Sequence, residues 1–324
     1  MLIRSLDPRE ARDYTQSMST TPQPIMSLRH VTKRYDATHG VLNLTLDVQP
    51  GEVFGFLGPN GAGKSTTINT ILDLLRLDEG EITIFGLDHQ HDSLAIRRRI
   101  GYVSGDMETD PTLTGQQYLS FVAHQRGGVS KDTVNALAVR LHADLSTKIK
   151  HLSRGNRQKI GLVSALMHDP DLLILDEPTS GLDPLIQAEF YSILRDRRTE
   201  GKTTFMSSHI LSEVQGICDR VGFVRAGKLV NVTPLDDLLH AAPQEVSALF
   251  VGAPPLNALK HVPGIRALVT HGNALTFDFT GDTNQLVRVL ASQRLKSLTI
   301  AEPDLEKLFM HYYQSDTREG AHVS

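Results

Sequence analysis

The chain has 324 residues, with 33 Lys and Arg against 37 Asp and Glu, a formal charge of −4, 40% apolar residues, one Cys and no Trp. That balance excludes a mainly disordered, collagen-like or low-complexity chain. No apolar run approaches the roughly 18 residues of a membrane helix, and no block of like charge asks for a nucleic-acid backbone.

In chain order, residues 1–26 read as a polar leader without an apolar core of signal-peptide length, with Met18 and Met26 as alternative starts. Leu28 and Val31, then Val41-Leu42, Leu44, Leu46 and Val48, predict an antiparallel strand pair. Val53–Leu57 reads as a buried strand that ends in a Gly-rich loop, with a helix from Lys64. His89 and His91 read as surface residues, and Arg97-Arg98-Arg99 as an exposed helix face. Residues 107–150 are mostly helical in pattern. Leu172–Leu175 and Thr203–Met206 read as short strands separated by a helix over 184–198, whose Arg195, Arg197 and Arg198 face solvent. Strands alternating with helices predict a parallel sheet covered on both faces. Cys218, alone, excludes an intramolecular disulfide framework, fits a reducing compartment and reads as a small buried hydrophobe.

After Val230 the composition shifts, and Pro234, Pro243 and Pro254-Pro255 mark a boundary. Strand signals at Val246–Val251, Ile265–Thr270, Ala274–Phe279 and Leu295–Ile300 alternate with helices at Leu256–His261 and Asn284–Gln293. That is the β-α-β-β-α-β order of a small ferredoxin-like α+β domain, closed by a last helix over 303–313. The expected organisation is therefore a leader over 1–26, a main domain over 27–230 and an accessory domain over 231–324.

The chemistry is concentrated in the main domain. Gly58-Pro59-Asn60-Gly61-Ala62-Gly63-Lys64-Ser65, with Thr66 after it, fits G-x-x-x-x-G-K-[ST] between a strand and a helix. Its glycines let backbone N–H groups converge on phosphate oxygens at a helix N-terminus. Lys64 can reach the β and γ phosphates, and the Ser65 hydroxyl can ligate Mg²⁺. Downstream, Asp176-Glu177 follows a buried strand, where an open α/β sheet carries its ligand chemistry. Asp176 can hold the metal, and Glu177 can polarise an attacking water.

From Ser27 to Val230 the chain resembles the ATP-binding subunit of an ABC transporter. Tyr35 stands where that family stacks an aromatic on adenine. Leu152-Ser153-Arg154-Gly155-Asn156 occupies the signature position. Ser180-Gly181-Leu182-Asp183 matches the loop that crosses to the opposing subunit, and Ser207-Ser208-His209 the switch histidine at the γ-phosphate. Ser153 is a good N-cap for a helix with one apolar face, so its terminus offers N–H groups and a small Gly155 to an anion.

The resemblance implies a P-loop ABC cassette: a mixed sheet with helices on both faces, a helical subdomain and an antiparallel β subdomain. It also implies ATP and Mg²⁺ as ligands. It further implies a second ATP-binding copy joined head-to-tail, a separate integral membrane permease, no nucleic-acid partner, and a peripheral place on the cytoplasmic face of the membrane.

Two positions depart from the family pattern. Arg154 and Asn156 replace the common Gly and Gln, and Arg154 either brings charge toward the phosphate or points to solvent. Gly105, with Asp106 beside it, stands where a Gln is usual, so Asp106 is either a metal or water contact or a turn carboxylate. This signature and the ending Asp304–Tyr313 resemble the subgroup that drives ABC-2-type exporters, which implies efflux of drug-like compounds. A soluble ABC ATPase acting on ribosomes or nucleic acid, and an importer motor with a regulatory C-terminal domain, are the alternatives.

Overall fold

The structure, a computed structural model, describes residues 23–36, 39–105 and 109–301. Asp106, the leader up to residue 22 and the expected helix over 303–313 lie outside the described residues.

A six-stranded sheet carries the main domain. Its order is Lys228–Pro234, Arg220–Arg225, Val53–Leu57, Thr203–Ser208, Leu172–Asp176 and Ile100–Val103. The last five run parallel, and Lys228–Pro234 closes one edge antiparallel. The central strands Val53–Leu57 and Leu172–Asp176 are buried along their whole length because both faces are covered. Leu173, Leu175, Val53, Leu57 and Met206 join the core under the helices Gly115–Gln125, Lys131–Arg140, Arg154–Leu166 and Pro184–Thr199. Leu172, Ile174, Phe54, Phe56 and Phe205 point the other way. On that side they meet the helix Lys64–Ile71 and a four-stranded antiparallel sheet of Gly40–Val48, Met26–Arg34, Glu79–Ile84 and Leu87–Asp88. Phe205 stacks on Phe54 at 5.8 Å and tilts against Phe56 at 5.4 Å, which locks the two central strands together.

The strand pair expected over 27–48 forms, but its first strand begins at Met26. Ile25 already donates to the Val48 carbonyl and Met26 is fully buried, so the fold starts inside the span expected to be leader. At the other end Lys228–Pro234 straddles residue 230 as a strand of the main sheet. Leu235, Leu238 and Ala242 then pack into the same core. A separate core begins at Val246. Its sheet runs Ile265–His271, Ala274–Phe279, Gln244–Phe250, Leu295–Ile300, antiparallel throughout, which is the ferredoxin-like strand order.

Two surface expectations are corrected. His91 is exposed, but His89 is 4% exposed, with Nδ1 on the Ile82 carbonyl at 3.2 Å. Arg197 is also buried, because it donates to Asp169 at 2.8 Å and to the Pro170 carbonyl at 2.5 Å. Cys218 is buried and unbridged, and burial pushes its thiol well above the ordinary value.

Candidate functional site

The three central strands end side by side, with Leu57 in register with Ser208 and Asp176 with Ser207. Topology alone therefore brings together the loop after Leu57, the acids at 176 and 177, and His209. Gly58 is fixed by contact: a Cβ there would lie 2.4 Å from the Val224 carbonyl oxygen. Gly61 and Gly63 hold φ of 79° and 103°, a region open to glycine, and nothing lies within 4 Å of a Cβ added at Gly61. The loop is thus tight on its inner side and open on its outer side.

The helix Lys64–Ile71 starts from Gly63 with no side-chain cap and no acid in its first turn. Thr114, Ser130, Ser153 and Asp183 all cap their own helices with a side-chain oxygen. The first-turn N–H groups after Gly63 are left for an external acceptor, and an anion suits the positive helix end. Pro59, Asn60, Gly61 and Ser65 are exposed, Thr66 is half-buried, and Ala62 packs beneath. The buried Lys64 folds over the loop, donating to the carbonyls of Gly58 at 2.7 Å and Pro59 at 3.1 Å, with Nζ 3.3 Å from Glu177 Oε1.

Opposite it, Asp176 is 6% exposed and accepts from Ser207 Oγ at 2.6 Å. The same hydroxyl accepts the Glu177 N–H at 3.1 Å. Glu177 sits at φ 46°, a strained conformation for a non-glycine residue, and this turns its half-exposed carboxylate toward Lys64 and His209. His209 Nδ1 is 3.2 Å from Glu177 Oε1. Tyr102 lies nearby, and burial, with the charge of Asp176, pushes its phenol up to about 12. One hydroxyl at Ser65 and one buried carboxylate make a poor protein cage. They suit Mg²⁺, which takes one or two protein oxygens and fills the rest with phosphate and water.

Tyr35 is 59% exposed, unusual for so large a ring. Its loop runs against the phosphate loop: a Cβ on Gly63 would lie 3.1 Å from the Gly40 carbonyl oxygen. The signature residues lie elsewhere. Ser153 caps the helix Arg154–Leu166 by accepting the Asn156 N–H at 3.2 Å, and Asn156 Oδ1 accepts the Asp144 N–H at 3.0 Å. A cavity of about 530 Å³ is lined by Ser153, Gly155, Asn156, Gly181 and Asp183, and by none of Lys64, Glu177 or His209. Asp183 caps its own helix through the Ile186 N–H. Arg154 is exposed and lines a different cavity, of about 360 Å³, with Lys150 and Arg157.

Sequence reasoning missed three polar residues. Ser207 lay inside a quoted run without a role, yet it orients both acids. Gln158 is buried and donates to the Pro178 carbonyl at 3.0 Å, tying the signature helix to the loop after Glu177. Glu213 is buried between Thr179 and Ser208.

Residues 41–180 match the ABC transporter family. The chain is 37% identical over 216 residues to the ABC transporter ATP-binding protein YhcH of Bacillus subtilis, covering 66% of this chain and 71% of that one. To the bacitracin transport ATP-binding protein BcrA of Enterococcus faecalis it is 32% identical, covering 88% and 95%. A solved ATP-binding subunit of an ABC transporter superposes with a TM-score of 0.61 at 29% identity, over 67% of this chain and 92% of that chain.

Proposed function

The chain belongs to the family of ABC transporter ATP-binding proteins, ATPases that serve a membrane permease, and we propose that it works as two identical copies closed head-to-tail over two ATP molecules. The observation that carries this reading is the separation of its two anion-facing surfaces. The uncapped helix at Gly63 and the cavity beside Ser153 and Gly155 share no residue. One copy therefore offers each ATP only half of its contacts, and a second copy supplies the other half.

In this reading Tyr35 stacks on the base, and residues 58–66 wrap the phosphates. Lys64 moves from the Gly58 and Pro59 carbonyls onto the β and γ phosphates. Ser153, Arg154, Gly155 and Asn156 approach the γ-phosphate of the ATP held by the other copy, with Asp183 in the crossing loop. Ser65 and Asp176 would hold Mg²⁺, which when bound neutralises phosphate charge. Asp106 is a further, weaker candidate for that metal. Glu177 takes the proton of the attacking water, and His209 holds the γ-phosphate side of the site. Ser207 keeps both acids oriented.

The relatives named for bacitracin transport support export of an antibiotic-like compound, with this chain lying against a permease on the cytoplasmic face of the membrane. No helix among the described residues is long and apolar enough to span that membrane. The region around Gly105 to Gln125 is the proposed permease contact. The chain divides, in this proposal, into an ATP-binding core that ends near Ala242 and an accessory domain after it.

The test is nucleotide binding and turnover by the purified full-length chain. Lys64→Ala should abolish tight Mg-ATP binding. Glu177→Gln should keep binding, lower turnover at least about 100-fold, and run as a dimer with ATP on a sizing column. Wild-type turnover in Glu177→Gln would overturn the assignment of the base. A monomer in the presence of bound ATP would overturn the pairing.

A further inference from the structure

Glu213 lies four residues after His209, in the first turn of the short helix Leu211–Gln215. An acid there ordinarily faces water and the positive end of its own helix. Glu213 instead turns inward and is 9% exposed. Oε1 accepts from Thr179 Oγ1 at 2.5 Å and Oε2 from Ser208 Oγ at 2.5 Å. No cation pairs with it among the described residues. A buried carboxylate is costly to hold unless its oxygens are hydrogen-bonded, and two short hydroxyl donors fix this one in place.

Its two partners belong to the two segments that frame the Glu177–His209 contact. Thr179 is two residues beyond Glu177, at the head of the loop that leads through Gly181 to Asp183, and its carbonyl accepts the Leu182 N–H at 3.0 Å. Ser208 precedes His209. Its hydroxyl also accepts the Ile210 N–H at 2.9 Å, and its carbonyl accepts the Gly58 N–H at 3.2 Å. Glu213 thus ties the His209 segment, the phosphate loop and the crossing loop through one side chain.

We propose that Glu213 is a positioning residue for hydrolysis: by clamping Ser208 to Thr179 it holds the His209 ring on Glu177 and fixes the start of the crossing loop. This rests on the reading that Glu177 activates water. A Gln in its place keeps the shape but presents an N–H to a hydroxyl that now needs an acceptor. One carboxylate–hydroxyl bond is exchanged for a weaker amide–hydroxyl bond of reversed direction and the clamp loosens, while the phosphate contacts of Lys64 are untouched.

The experiment is steady-state ATP hydrolysis by the full-length protein carrying Glu213→Gln, alone and with His209→Ala. The clamp predicts a fall in kcat of at least about tenfold, with KM for ATP within about twofold and the melting temperature little changed. It also predicts a smaller further loss when Glu213→Gln is added to His209→Ala than in the wild-type background, because one of the two effects of Glu213 acts through that ring. Wild-type kcat in Glu213→Gln overturns the proposal. So does an equal additional loss in the His209→Ala background, or a fall in kcat matched by a rise in KM and a lower melting temperature. Should Glu213→Gln not fold, Thr179→Val removes one clamp bond and leaves the carboxylate on Ser208, and the same comparisons apply to it. A wild-type protein that does not hydrolyse ATP would sink the function proposed above rather than the clamp.

Discussion

The two cores of this molecule are built from different materials. Among the described residues, every buried polar or charged side chain lies before Ala242, from Thr32 through Lys64, Asp176 and Ser207 to Glu213. The core over 246–290 contains only Val, Ala, Phe and Leu, with Phe250, Phe277 and Phe279 as its largest members. A buried polar group costs about 1–3 kcal/mol unless it is paired, so the first core accepts a burden that the second avoids. Several of its polar groups converge on one edge, where three parallel strands end together and Lys64, Asp176, Glu177 and His209 meet. The second core is held by apolar packing alone.

This contrast can be broken most forcefully by truncation. A cut after Ala242 should leave a folded protein that binds ATP, because the polar core keeps its full cover. A cut after Thr233 should not, because it strips Leu235 and Leu238 from that core. At about 1.5–3 kcal/mol for each buried leucine, the expected difference is about 3–6 kcal/mol. Denaturant unfolding of the two fragments measures it. Equal stability would place the boundary back near residue 230.

A smaller effect probes how tightly the polar core is assembled. A Cβ on Gly155 would lie 2.3 Å from the Gly181 carbonyl oxygen. That oxygen is backbone and the Cβ is fixed rigidly to the backbone of the helix, so relief requires the signature helix or the crossing loop to move. Gly155→Ala should lower turnover about tenfold or more, about 1.4 kcal/mol, while nucleotide binding to the Lys64 loop of the same copy persists. Unchanged turnover would mean that the loop gives way at no cost. A Val262→Ala change in the other core, used as a control, should leave turnover alone.

How much of this was legible follows from how each feature is encoded. The phosphate loop is local: Gly61 and Gly63 answer to backbone geometry within eight residues, and only Gly58 answers to a distant contact, at Val224. The ferredoxin-like order was legible because short apolar alternations survive in sequence even when the elements are brief. Glu213, Gln158 and Ser207 were not legible. Each is a single polar residue whose partners arrive from another segment, and one carboxylate or amide has no spacing that announces burial. Arg197 reads as one cation among several until Asp169, 28 residues away, is brought against it. The continuation of the main sheet past residue 230 is hidden in the sequence for a related reason. Lys228–Pro234 is an edge strand, so its exposed, mixed pattern resembles a linker.

The smallest expected effect concerns acid. Burial holds both His89 and His168 below the ordinary histidine value, and at His168 the charges of Arg126 and Arg197 act in the same direction. Both lie in the main domain, His89 buried and His168 half-buried. The unfolded chain, with ordinary histidines near about 6.5, then binds protons that the folded chain refuses. Their contribution to stability is complete above that value and is lost as pH falls from there through the lowered folded-state values. Asp144, held at about 2 by bonds from Thr147 and Ser146, stays ionised through that window and does not add to the slope. The melting temperature should therefore drop slightly between pH 7.5 and 5.5 in the full chain and equally in the fragment ending at Ala242. Replacing both histidines, His89→Gln with His168→Gln, should flatten the drop. An unchanged slope in that double variant would assign the acid sensitivity to other groups, and a slope that disappears on truncation would move it to the apolar domain.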